Sequence, residues 1–274
     1  MTKLPFFKMS GSGNDFIIID NRAQIVDETR LTQLITGACR RGMAVGADGL
    51  ILIEPSDKVD FKWRFFNKDG SIAEMCGNGA RCTARFAFLN QIADNKMAFE
   101  TVAGIVSATV NDDLVKIKMT DPFDFKPDYT ISLENETLAV SSINTGVPHV
   151  VIPVDDIETV DVVTLGRKIR YHQEFAPAGT NVNFIALQEN GLAAIRTYER
   201  GVEEETLACG TGTVASALIL AHTFQKRSPV KIMTRSGSCL NIYFEIIDGV
   251  FKNTCLEGDA RVIYQGELWD EAWQ

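Results

Sequence analysis

Basic stretches, long apolar runs and metal-binding spacings are what this sequence has least of. No stripe of lysine and arginine occurs in a chain whose net charge is −9, so a phosphate backbone, bound by releasing counterions from basic surfaces, is excluded as a partner. No run approaches the roughly 18 apolar residues of a membrane span, and the opening "MTKLPFFKMSGSGNDF" lacks the apolar core of a signal peptide. The expectation is a cytoplasmic protein without a membrane partner. There the six cysteines, at 39, 76, 82, 209, 239 and 255, read as free thiols rather than a disulfide framework. No two of them form Cys-x-x-Cys and the three histidines, at 149, 172 and 222, are scattered, which argues against zinc.

What is present is ordinary globular material, 45% hydrophobic and 23% charged over 274 residues, long enough for two domains. The chain also resembles itself. Shifted by 133 positions, Cys76 falls on Cys209, Gly77 on Gly210, Gly79 on Gly212, Gly13 on Gly146, Gly46 on Gly179, Ala84 on Ala217, Thr101 on Thr234 and Gly104 on Gly237. The matches gather at glycines, where backbone geometry is demanding, and at the one cysteine followed by glycine.

Each half opens with short β-branched strands, "NDFIIID" (14–20) and "DGLILIE" (48–54) in the first, "VPHVVIPV" (147–154) and "NVNFIALQ" (181–188) in the second. Between them, 27–41 and 160–175 have helical spacing and acidic first turns. "ARCTARFAFLNQ" and "TVASALILAHTF", after each Cys-Gly-x-Gly, read as helices, the second apolar nearly all round and therefore buried. Hairpins are expected over 98–119 and 230–256, a Pro-rich crossover at 121–128, and a leftover strand at 260–269 that returns to the first half. Cys39, Cys82, Cys239 and Cys255, without partners at the 133 offset, read as packing residues.

A glycine-rich turn that opens a helix exposes backbone N–H groups at the positive end of the helix dipole, so it suits an anion and favours a thiolate. Two such starts in pseudo-twofold halves would face one another across a cleft. There the backbone of Gly77, Asn78, Gly210 and Thr211 would hold a carboxylate and set Cys76 and Cys209 on either side of the carbon that bears it. One thiolate and one thiol so placed remove a proton from one face and return one to the other, titrating as a coupled pair. The competing reading is that each cysteine is a small packing residue at a helix start.

The segments "SGSGNDF" (10–16), "FNKDGSIAEMCGNGARC" (66–82), "PHVV" (148–151), "GTNVNF" (179–184) and "YERGVEEETLACGTG" (198–212) together resemble the diaminopimelate epimerase family over essentially the whole chain. The resemblance implies an α/β (α+β) fold of two pseudosymmetric lobes, each a barrel-like, mostly antiparallel sheet around a central helix, with the active site in the cleft between them. The lobes would comprise 1–122 with 259–274, and 123–258. It implies a cofactor-independent isomerase that interconverts LL- and meso-2,6-diaminopimelate, a small amino-acid substrate, on the route to lysine and peptidoglycan. Cys76 and Cys209 would be its acid and base, and relatives that occur as homodimers point to the same assembly here.

The same resemblance makes Asn14, Asn67, Asn181, Glu199 and Arg200 the holders of the rest of the substrate, Arg200 through its planar fork, with His149 in support. Two departures touch that end: Val147 stands where many relatives have asparagine, and Gly49 where some have glutamine. Asn183 is the candidate to compensate. Two other readings stand beside this one: a racemase of proline or hydroxyproline type with the same two-thiol chemistry, and a non-catalytic protein whose thiols form a redox disulfide.

Overall fold

In the computed structural model, which describes residues 3–134, 136–188 and 192–274, the chain forms two units, Met1–Ile117 with Gly258–Gln274 and Lys118–Glu257. The first contains β1 (Lys3–Gly11), β2 (Asn14–Asp20), α1 (Leu31–Ala38), β3 (Gly49–Glu54), β4 (Phe61–Asn67), α2 (Gly77–Leu89), β5 (Lys96–Thr101), β6 (Gly104–Asn111) and β7 (Leu114–Lys118). The second contains β8 (Phe123–Ser132), β9 (Thr137–Asn144), β10 (Pro148–Pro153), α3 (Val162–Arg170), β11 (Asn181–Leu187), β12 (Ala193–Glu199), β13 (Glu204–Thr206), α4 (Gly210–Phe224), β14 (Val230–Met233), β15 (Cys239–Ile247) and β16 (Val250–Asp259). A last strand, β17 (Arg261–Trp269), lies antiparallel to β1.

The duplication in the sequence is a duplication of topology. In the first unit the order is β17-β1-β2-β3-β4-β5-β6-β7, antiparallel except for the pairs β2/β3 and β4/β5. In the second it is β8-β9-β10-β11-β12-β14-β15-β16, antiparallel except for β10/β11 and β12/β14. Parallel neighbours need a crossover, and α1, α2, α3 and α4 supply one for each parallel pair. Gly13 and Gly146, paired by the 133 offset, have φ of 98° and 111°, and Gly104 and Gly237 have 121° and 80°, so the repeat preserves left-handed turns that only glycine adopts without strain.

The runs Phe16–Ile19 and Leu50–Ile53 are fully buried because helices cover both faces of their strands. Ile17, Ile19, Leu50 and Leu52 pack on Leu31, Leu34 and Ile35 of α1. Ile51, one residue out of phase, meets Gly79 of α2 on the other face. In the second unit Val150, Ile152, Val182 and Phe184 pack in the same way on Val162 and Ile169 of α3. Helix α4 is buried from Gly212 to Ala221, as its apolar composition predicts, and it touches β9, β10, β11, β12, β14 and β15. Each unit is thus a sheet around one central helix. Among the described residues no helix is long and apolar enough to cross a membrane.

Four expectations are corrected. The crossover at 121–128 is largely strand β8, whose pairing with β9 shifts register between Phe123, Lys126 and Tyr129. The irregularity accommodates Pro127, with Asp124 and Asp128 at φ 51° and 47°. Each supposed hairpin has three strands, β5–β6–β7 and β14–β15–β16, because a turn also falls at residues 102–103 and at 234–238. The outer helices are shorter than their periodic segments, and acidic residues cap rather than fill their first turns: Asp161 accepts from Thr164 N–H at 3.1 Å, and Asp27 caps a 3-10 turn before α1. Cys239 is exposed and Cys255 half-buried, so packing describes only Cys39 and Cys82, whose thiols burial pushes up to about 11 and about 12.

Candidate active site

Cys76 is the N-cap of α2. Its extended backbone (φ −146°, ψ 118°) turns Sγ back over the first turn, where it accepts the Gly79 N–H at 3.5 Å. A cap of this kind is ordinarily serine, threonine or aspartate. A sulfur in that place sits in the helix field, among first-turn N–H groups that lack helical partners, and it is half-buried.

Around this cap the first unit builds a relay of polar side chains. Arg81, fully buried, donates to Ser12 Oγ at 2.8 Å, Asn78 Oδ1 at 3.0 Å, Asp259 O at 3.2 Å and Gly77 O at 3.4 Å. With its oxygen taken by Arg81, Asn78 points its amide at Asn14 Oδ1, 2.6 Å away. Asn14 then points its own amide at Asp48 Oδ2, 2.9 Å away. Asp48 also accepts from Arg41 at 2.8 Å, and Arg41 grips Asp15. Each amide orientation in this chain is set by the group before it, so the backbone of Gly77 and Asn78 is held in one arrangement.

Cys209 repeats the cap on α4. Its Sγ accepts the Gly212 N–H at 3.4 Å and stands 3.5 Å from the Thr211 hydroxyl, and the residue is 8% exposed. Thr145 Oγ1 donates to the Thr211 carbonyl at 3.0 Å. Asn183 presses its Oδ1 against Gly212, so that a Cβ on that glycine would lie 2.3 Å from it and 3.3 Å from the Cys209 sulfur. Asn183 is itself fixed: its oxygen accepts from Thr197 Oγ1 at 3.0 Å, and its amide donates to Val150 O at 2.9 Å and His149 Nδ1 at 3.2 Å. That leaves the His149 proton on Nε2, which has no hydrogen-bond partner among the described residues. Burial, and after it the Arg200 guanidinium, pushes this imidazole down to about 3, so His149 is neutral.

Arg200 and Asn181 meet as well: the Arg200 N–H donates to Asn181 Oδ1 at 2.9 Å, while the Asn181 amide donates to Pro148 O at 3.0 Å. Among the described residues the Arg200 guanidinium bonds only Ala178 O, at 3.2 Å, so much of its planar fork remains for a ligand. Burial raises the Glu199 carboxyl above its ordinary value, partly offset by the Thr206 hydroxyl. Of the two departures, Gly49 stands where a Cβ would lie 2.5 Å from Phe66 O and 2.6 Å from Phe65 Cε2, and Val147 precedes Pro148, whose carbonyl accepts from Asn181.

The structure therefore gathers Cys76, Gly77, Asn78 and Asn14 in the first unit, and Cys209, Gly210, Thr211, Asn183 and His149 in the second, with Asn181 and Arg200 paired. Asn67 pairs with Gly49, next to Asp48, and is exposed at the end of β4, its amide on Ser71 Oγ at 3.0 Å in a turn closed by Gly70 at φ 87°. Residues that sequence reasoning missed are Arg81, Ser12, Asp48, Thr145 and Thr197. Arg81 alone left a signal, as one cation in the otherwise small and apolar start of α2.

A family model described as Diaminopimelate epimerase matches residues 6–125 and 141–250. A curated protein of that description from Aquifex aeolicus is 46% identical over 281 residues, covering 98% of this chain and 99% of its own. Among solved structures, a Bacillus anthracis phenazine biosynthesis protein of the PhzF family aligns with a TM-score of 0.73 at 16% identity, covering 98% of this chain and 100% of that one. A hydroxyproline epimerase from Agrobacterium vitis, with bound trans-4-hydroxy-L-proline, aligns with a TM-score of 0.68 at 15% identity, covering 98% and 91%. At such identities these two share the fold alone.

Proposed function

The chain belongs to the diaminopimelate epimerase family, and from this we infer that it is an amino-acid isomerase that interconverts LL- and meso-2,6-diaminopimelate without a cofactor, in the biosynthesis of lysine and of peptidoglycan precursors. The observation that carries the mechanism is the pair of equivalent N-caps: Cys76 and Cys209 each place a sulfur over a helix start by accepting the N–H three residues on.

The substrate's reacting carboxylate would lie on the first-turn N–H groups of Gly77, Asn78, Gly210 and Thr211. A carbanion beside a carboxylate is strongly disfavoured, and dipoles already aimed at the carboxylate are what stabilises it as charge develops. One sulfur, as thiolate, takes the α-proton and becomes a thiol. The other, as thiol, gives its proton to the opposite face of the carbon and becomes a thiolate. One proton leaves and one arrives, no electrons are gained or lost, and the two sulfurs exchange protonation states. The reaction therefore needs one proton between them, and the pair titrates as a unit.

Arg200, with its fork largely uncommitted, would bind the distal carboxylate, and Asn14, Asn67, Asn181 and Glu199 the other distal groups. Asn183 supports the Cys209 helix start rather than compensating for Val147, since among the described residues its side-chain bonds run to Thr197, Val150 and His149. The setting we propose is cytoplasmic, as a homodimer, with no nucleic-acid or membrane partner.

The test compares substrates. Purified protein incubated with LL-diaminopimelate, with product resolved by chiral chromatography, should yield the meso isomer, and L-proline should come back unchanged. The fold shared with the hydroxyproline epimerase makes proline the informative control. Racemisation of proline with diaminopimelate left untouched would overturn the reading.

A further inference from the structure

Three consecutive glutamates follow Arg200 in "YERGVEEET", and the fold uses each differently. Glu205 grips Arg196 at 2.7 Å, and Glu204 is exposed. Glu203 folds back beneath the turn. Its carboxylate accepts from Gly201 N–H at 3.0 Å, Tyr198 Oη at 3.2 Å and Arg170 Nε at 3.3 Å, and its own N–H donates to Glu199 O at 2.8 Å. Its backbone stands at φ 61°, a left-handed conformation that a residue with a side chain adopts at a cost and keeps where its surroundings over-determine it. The Gly201 N–H first, then Arg170 and Tyr198, outweigh burial and hold this carboxyl below its ordinary value, so Glu203 is ionised.

Resting on the reading of Arg200 as the holder of the distal carboxylate, we infer that Glu203 is the positioning residue that aims Arg200, acting through it rather than on the substrate. The two peptide planes that flank the Arg200 Cα are each pinned by a side chain. Asn181 Oδ1 takes the Arg200 N–H at 2.9 Å and Glu203 takes the Gly201 N–H, so both backbone torsions of Arg200 are constrained and its side chain leaves in one direction. The far end is pinned as well. Arg200 Nη1 donates to Ala178 O at 3.2 Å, and Arg170 Nη1 reaches the same carbonyl at 3.5 Å. The Arg170 guanidinium also fills the space that a Cβ on Gly179 would need, which holds this segment in place. Two guanidiniums at one oxygen repel each other, and Glu203 neutralises Arg170 alone: Arg170 has the ion pair, and Arg200 has none among the described residues. One carboxylate therefore fixes the turn, cancels the neighbouring charge and leaves the Arg200 fork for a ligand's carboxylate.

The test is steady-state kinetics of the Glu203→Gly protein with LL-diaminopimelate. Glycine suits the left-handed turn better than glutamate does, so a residue needed only for the shape of the turn would be replaced without loss. A residue needed for its carboxylate would not. KM should rise about tenfold, the scale of one charge-assisted hydrogen bond. The value of kcat should stay within about threefold, since the distal contact is made in ground and transition states alike. Glu203→Gln, which keeps an acceptor without the charge, should fall between, and Glu204→Gln should match the native protein. In an Arg200→Lys background Glu203→Gly should change KM by no more than about twofold, because a residue that acts through the fork has nothing left to aim. An unchanged KM in the Glu203→Gly protein, or the same tenfold loss with Arg200→Lys in place, overturns the inference. Without substrate, hydrogen exchange at the Gly201 amide should be about tenfold faster in Glu203→Gly than in the native protein, and equal exchange also overturns it. A native protein that leaves diaminopimelate unchanged refutes the proposed function instead, and the exchange measurement then decides the role of Glu203 by itself.

Discussion

Asn78 donates its amide to Asn14 across 2.6 Å, although the two residues are 64 positions apart in sequence. The contact joins the start of β2 to the start of α2, and it is oriented at both ends, by Arg81 on one side and Asp48 on the other. Asn78→Ala removes an acceptor from a fully buried guanidinium and a donor from Asn14. The expected cost is about 1–3 kcal/mol in urea unfolding, with a fall of tenfold or more in kcat/KM for LL-diaminopimelate. Unchanged stability would mean that the relay does not hold the helix start.

The equivalent glycines Gly79 and Gly212 should respond in opposite ways to a methyl group. At Gly79 a Cβ meets Ile51, Trp63 and Cys76 at 3.4–3.6 Å, ordinary contact distances. At Gly212 it meets Asn183 Oδ1 at 2.3 Å, and Asn183 is held by three bonds and cannot swing away. Gly212→Ala should destabilise by about 1–3 kcal/mol, the usual cost of overpacking, and should displace the Cys209 cap, with a large loss of kcat. Gly79→Ala should leave both within a small factor. Equal responses, measured by urea unfolding and steady-state kinetics, would refute this asymmetry.

His149 gives a pH signature. Its folded-state value, pushed down to about 3, lies below the ordinary value of about 6.5. Between these limits the unfolded chain binds a proton that the folded protein does not. The contribution is therefore complete above pH 6.5 and is lost as pH falls towards 3, at up to about 1.4 kcal/mol per pH unit. His149→Gln removes it. Between pH 6.5 and 5 the native protein should lose about 2 kcal/mol more unfolding free energy than the variant, and parallel curves would contradict a buried neutral imidazole.

Much of this organisation was legible in the sequence because burial writes itself in composition. "FIIID" and "LILIE" are apolar without alternation since α1 and α2 cover both faces of their sheet, and α4 is apolar all round since it is enclosed. The 133 offset survived because left-handed turns at Gly13, Gly146, Gly104 and Gly237 restrict what can stand there. Strand β8 was hidden by Pro122 and Pro127, which mark a loop unless an irregular, bulged register absorbs them. The relay from Arg81 to Asp48 was hidden for another reason: its members lie at 14, 48, 78 and 81, and only the folded sheet brings them within bonding distance. Pairing between side chains far apart in sequence leaves no periodic trace.

The account's central claim is that the sulfurs of Cys76 and Cys209 each serve one face of a single α-carbon. It is tested most directly by NMR of LL-diaminopimelate in deuterated water, without added cofactor, using the native protein and the Cys76→Ser, Cys209→Ser and double-serine variants. The native protein should replace the α-proton with deuterium and invert one centre, giving the meso isomer, and neither single variant should give net inversion. Continued epimerisation by the double-serine protein would contradict the claim outright.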